Sequence, residues 1–100
     1  MKIDLSILKG LDFDGCRTVL ENNGYVSNDT GYSLYDNAPY DYSEDVYFKL
    51  YISDILIDLI CLSNFYRKEK AIYDDFSNDT LVKFEISRLG PSCTGNCFLN

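Results

Sequence analysis

The sequence predicts an α+β domain: a helix spanning about residues 13–23, packed on an antiparallel sheet of three to five strands in two layers. Three observations predict it. A capped helical period stands near the N-terminus, stretches with the strand period follow it, and 100 residues leave little room for the long crossovers that a parallel sheet demands. The chain is read as one domain with a polar tail from about residue 90. Apolar residues make up 46% and charged residues 25%, an ordinary globular balance.

The opening residues fit two templates. Ile3, Leu5 and Ile7 alternate with polar residues as in a strand, while Asp4 is placed to cap a short helix reaching Lys9; the short helix is favoured slightly. In the next segment Asp12 is the expected N-cap and Asp14 sits in the first turn. Phe13, Cys16, Val19 and Leu20 share one face, and Asn23-Gly24 supplies a left-handed stop. Residues 25–45 are rich in turn formers among tyrosines, with a short strand at Tyr32 to Tyr35.

Val46, Phe48, Leu50 and Ile52 then alternate with Tyr47, Lys49, Tyr51 and Ser53, the period of a half-buried strand. Ser53-Asp54 is a candidate tight turn. Ile55 to Leu62 reads as a central strand, with Ile55, Ile57, Leu59 and Cys61 on a wholly apolar face. A helix capped by Ser53 is the rival there, and β-branched content favours the strand. Phe65 to Tyr73 fits a strand or a short helix, Asp74 to Asp79 a turn, and Leu81 to Ile86 a final strand ended by Gly90-Pro91.

Formal net charge is −7, from 16 acidic against 9 basic residues, so direct nucleic-acid binding through phosphate neutralisation is disfavoured and a basic partner is favoured. The longest apolar run, Ile55 to Leu62, is interrupted by Asp58 and is too short to span a membrane. The first ten residues lack a signal-peptide pattern, so a cytoplasmic location with reduced thiols is expected, and the two Asn-Asp-Thr triplets read as turns.

Between Arg17 and Lys49 lie 31 residues with no lysine or arginine, yet with Glu21, Asp29, Asp36, Asp41, Glu44 and Asp45 and six of the nine tyrosines. Tyrosine joins a rigid apolar ring to a polar tip, and carboxylates set between such rings suit arginine and lysine. The expected contact surface for a basic protein is therefore Tyr35, Asp36, Tyr40, Asp41, Tyr42, Glu44 and Asp45. The competing account is a solvated loop whose tyrosines pack on the sheet.

Asp12-Phe13-Asp14-Gly15 resembles the nucleophile loop of haloacid dehalogenase-like phosphatases. That resemblance implies Asp12 as nucleophile at the end of a parallel strand, Asp14 as general acid, Ser53 and Lys68 or Lys70 near phosphate, and Asp75 to Asp79 toward magnesium. Here Asp12 follows Lys9-Gly10-Leu11 rather than a hydrophobic strand, and Cys16 stands where that family has threonine or valine. Cys93 and Cys97 have zinc-pair spacing, but Cys16 and Cys61 lie on apolar faces. The chain has no histidine, which removes Ser-His-Asp and Cys-His catalysis.

No metal, no cofactor and no catalytic residue is thus expected. The expected function is a small acidic inhibitor, of the immunity or antitoxin type, that occludes a basic toxin or nuclease. A nucleic-acid mimic of the phage anti-defence type and a minimal magnesium-dependent aspartyl phosphatase are the alternatives.

Overall fold

A computed structural model describes residues 2–36, 38–68 and 79–90. A 3-10 helix, Leu5–Leu8, leads to helix α1, Phe13–Asn22; strands β1 (Val26–Leu34), β2 (Tyr42–Ile52), β3 (Ile55–Arg67) and β4 (Thr80–Arg88) follow. The strands form one open antiparallel sheet in the order β1-β2-β3-β4. The domain is α+β, and the chain order of helix before sheet is the one its periodicities predict.

Both helical segments begin at the aspartates that the sequence marks. Asp4 accepts from the Ser6 N–H and Asp12 from the Gly15 N–H at 2.8 Å, each satisfying a donor with no partner inside its helix. Helix α1 ends in a Schellman arrangement. The Tyr25 N–H reaches the Leu20 carbonyl, the Gly24 N–H reaches that of Glu21, and Gly24 takes a φ of +92° that its missing Cβ permits.

The short helix, not the strand, forms at the N-terminus. Residues 55–62 are strand and not helix, joined to β2 through Ser53 and Asp54 with φ of 52° and 64°. Positive φ at both central residues is the signature of a primed hairpin turn, whose twist matches the flanking strands. The strand expected at Tyr32 to Tyr35 is the second half of the longer β1. Phe65 to Arg67 complete β3. Residues 69–73, the turn at 74–78, Lys70, Asp75, Cys93, Cys97 and most of the polar tail lie outside the described residues.

The core forms where α1 and the 3-10 helix cover one half of one sheet face. Leu8, Cys16 and Leu20 are fully buried against Phe48, Leu50, Ile60 and Leu62, and Phe13 meets Phe84 edge to face at 6.2 Å. Each buried Leu or Phe side chain contributes about 1.5–3 kcal/mol relative to exposure.

The central strand buries side chains on both faces, Cys61 and Phe65 on one and Ile60 and Leu62 on the other. Even-numbered Ile60 and Leu62 face the helix together with Asp58, while Leu59 and Cys61 face away. Asp58 is admitted to the core because four donors saturate it: Tyr25 Oη at 2.5 Å, Nε and Nη2 of Arg88 at 3.0 Å each, and the Leu59 N–H at 3.0 Å. Arg88 also donates to the Ile3 carbonyl, and the Ile3 N–H to Tyr25 Oη, so the carboxylate ties the N-terminal segment to three other parts of the chain.

Candidate functional site

The helical layer stops short of the far half of its sheet face. Beyond Phe48 and Leu62 that face continues as Tyr32 and Leu34 on β1, Tyr42 and Glu44 on β2, and Asn64 and Tyr66 on β3, brought together by the pairs Tyr32↔Glu44, Leu34↔Tyr42 and Tyr42↔Tyr66. A cavity of about 400 Å³ opens there, lined by Tyr32, Leu34, Asp41, Tyr42 and Lys68. Tyr32 and Leu34 are 68% and 86% exposed, large apolar side chains left toward solvent beside a concave wall.

Tyr42 anchors the floor. Its ring stacks on Tyr66 at 5.2 Å and meets Tyr32 at 6.4 Å, and its hydroxyl donates to Asp79 Oδ2 at 2.6 Å. Burial, and then the Asp79 carboxylate, push the Tyr42 phenol well above its ordinary range, so it stays a neutral donor. Carboxylates stand round the rim. Glu44 receives the Tyr32 hydroxyl at 3.4 Å, Asp41 receives the Lys68 N–H at 2.8 Å, and the Lys68 ammonium lies 4.0 Å from Asp79. Rings with carboxylates at their edges suit a guanidinium or ammonium that stacks and pairs at once, and the apolar floor suits an aliphatic side chain.

The seven residues expected to form one contact surface divide between the two sheet faces. Tyr42 and Glu44 belong to the open concave face, with exposed Asp41 at its end. Tyr35 and Tyr40 fold over the reverse face, where both rings pack on Phe65 (5.7 and 4.7 Å) and the Lys83 ammonium sits over Tyr40 and Phe65 at 4.9 and 4.8 Å. Asp36 is exposed in the connection between β1 and β2. Asp45 is buried on the reverse face and accepts from the hydroxyls of Ser33, Ser43 and Ser63 at 3.0, 3.0 and 2.7 Å. In this arrangement its carboxylate is spent inside the fold, and Tyr35 and Tyr40 are packing residues. Tyr32 and Leu34, which line the cavity, lie outside the expected contact set. Their i,i+2 spacing, shared with Tyr42 across the hairpin, is the signal that would have found them.

Asp12 caps α1, which is followed by an antiparallel sheet rather than the parallel one that the phosphatase resemblance implies. Cys16 lies in the core beneath the helix and Cys61 on the reverse face of the sheet, so the two thiols do not converge. Among the described residues no three metal-ligating side chains cluster, and no helix is long and apolar enough to cross a membrane. No protein-family model, no curated protein and no solved structure matches this chain.

Proposed function

We propose that this chain is a binding protein that occludes a basic protein, an inhibitor of the immunity or antitoxin type, and that it acts through the half of its helix-side sheet face that lies beyond α1 and the 3-10 helix. The observation that carries the proposal is the exposure of Tyr32 and Leu34 beside a 400 Å³ aromatic cavity whose rim holds Asp41 and Glu44. Net charge of −7 supports the same reading, since an acidic surface accelerates encounter with a basic partner and repels acidic competitors.

The test begins with affinity capture from the native host, identification of the bound protein and measurement of its activity with and without this chain. Replacing Asp41 and Glu44 with Asn and Gln is expected to lower the association rate and flatten its dependence on salt. Tyr32→Ala is expected mainly to speed dissociation, at a cost of about 2 kcal/mol if the ring is a binding hot spot. Tyr42 is left intact because it is buried and its truncation would disturb the sheet. A partner that is not basic, or association untouched by all three substitutions, overturns the proposal.

A further inference from the structure

The same face runs out to an open strand edge. β1 is the terminal strand of the sheet, and among the described residues nothing pairs with its outer side. The hydrogen bond from the Tyr35 N–H to the Asp41 carbonyl, next to the Leu34↔Tyr42 pair, sets the phase of the β1–β2 ladder. In antiparallel pairing, residues alternate between bonding inward and bonding outward. The backbone groups of Ser33 and Gly31 therefore turn toward β2, and those of Thr30, Tyr32 and Leu34 turn toward the open edge.

The two edges of the sheet differ in how they are guarded. β4 carries Lys83, Glu85 and Arg88, and its pairing is interrupted between Phe65 and Tyr66 on its neighbour. In β1 the irregularity falls between Val26 and Asp29, and from Thr30 to Leu34 there is no charge, no proline and no bulge. Charge, proline and bulges are the devices that keep other strands away from an edge, and this half of β1 has none of them.

We infer that the Thr30–Leu34 edge accepts an extended segment of the basic partner as a fifth strand, antiparallel to β1, with alternate side chains directed onto Tyr32 and into the Leu34–Tyr42 cavity. The inference rests on the proposed basic-partner reading and adds how the partner is held. Main-chain bonds to Thr30, Tyr32 and Leu34 supply affinity. A residue of the added strand that bonds inward places its side chain on the helix-side face. An arginine there lies over the Tyr32 ring beside Glu44, and an aliphatic residue two positions away enters the cavity. Antiparallel addition continues the pattern of every pair already in the sheet. A second copy of the chain is the poorer occupant, because it brings another net charge of −7 to the same edge.

The probe is the capped heptapeptide Thr-Arg-Thr-Leu-Thr-Arg-Thr, whose arginines and leucine share one face and whose pattern reads alike in both directions. At saturation it is expected to slow amide hydrogen exchange at Thr30, Tyr32 and Leu34 by about tenfold or more, with little change at Gly31 and Ser33. Methylating the arginine and leucine amide nitrogens should abolish binding, and methylating the threonine nitrogens should spare it. Leu34→Lys, at a position 86% exposed and so harmless to folding, should weaken the peptide about tenfold by guarding the edge.

Failure to bind, or binding without protection of these amides, overturns strand addition. If binding persists without protection and is lost when glutamate replaces arginine, the basic-partner reading still stands. If the glutamate peptide binds as well as the arginine one, both readings fall. Protection that appears without peptide and rises with protein concentration overturns the assignment in favour of self-pairing.

Discussion

At the scale of single residues, the carboxylates divide into those that hold the fold and those that face outward, and sequence position does not announce which is which. Asp58 reads in the sequence as an interruption of an apolar run. In the fold it is fully buried and bound to Tyr25 and Arg88, partners 33 and 30 positions away. Asp45 likewise reads as a surface acid because its three serine donors are visible only once three strands are side by side. Asp12 was legible because its partner, the Gly15 N–H, is local.

These assignments set expected stabilities, measured by urea unfolding. Asp58→Asn leaves the Arg88 guanidinium facing a neutral amide and is expected to cost about 3–5 kcal/mol, whereas replacing both partners with apolar residues of similar volume should recover much of that loss. Asp12→Asn is expected to be nearly neutral and Asp12→Ala to cost about 1 kcal/mol, because asparagine caps as well as aspartate and alanine does not. Magnesium-dependent phosphate-ester hydrolysis lost in Asp12→Asn would instead establish the aspartyl phosphatase.

At the scale of elements, α1 and the strand character of β2 were legible because each has a clear period and local stop signals. The identity of β3 is less legible, because a mostly apolar run has no decisive period and only its β-branched content favours strand over helix. Pairing with β2 on one side and β4 on the other settles it, and it also decides which face is buried. Phe48 pairs with Ile60 and Val46 with Leu62, so the helix-facing row of β2 fixes the row of β3 beside it. The turn between them departs from the sequence ideal. Ser53 and Asp54 both hold positive φ, which asparagine and glycine adopt far more readily. Replacing Ser53-Asp54 with Asn-Gly is expected to stabilise the domain by about 1 kcal/mol, seen as a higher urea midpoint with an unchanged slope.

At the scale of the whole molecule, the buried and half-buried phenols and the buried thiols give the fold a directional response to alkali. Burial is the largest cause holding Tyr25, Tyr42, Tyr47 and Tyr66 above their usual 10, and Cys16 and Cys61 above their usual 9. Next comes the Asp58 carboxylate for Tyr25 and the Asp79 carboxylate for Tyr42, each accepting the phenolic proton in a hydrogen bond. A group whose folded pKa is raised keeps its proton in the native state after the unfolded chain has lost it. Its contribution is complete below the unfolded pKa and disappears as pH rises through the folded one. Stability is therefore expected to decline from about pH 9 upward, where the thiols and then the phenols of the unfolded chain begin to ionise. The growing negative charge of an already acidic chain acts in the same direction, but salt screens that repulsion and leaves the desolvation of a buried phenolate in place. Urea unfolding between pH 8 and 11 at low and high sodium chloride separates the two. Tyr42→Phe keeps the ring on Tyr66 while removing the titrating hydroxyl, so it should lower stability at pH 8 through loss of the Asp79 bond yet flatten the decline above pH 10. A wild-type decline abolished by salt would show that surface repulsion governs the response, and one unchanged in the phenylalanine variant would show that Tyr42 has no part in it.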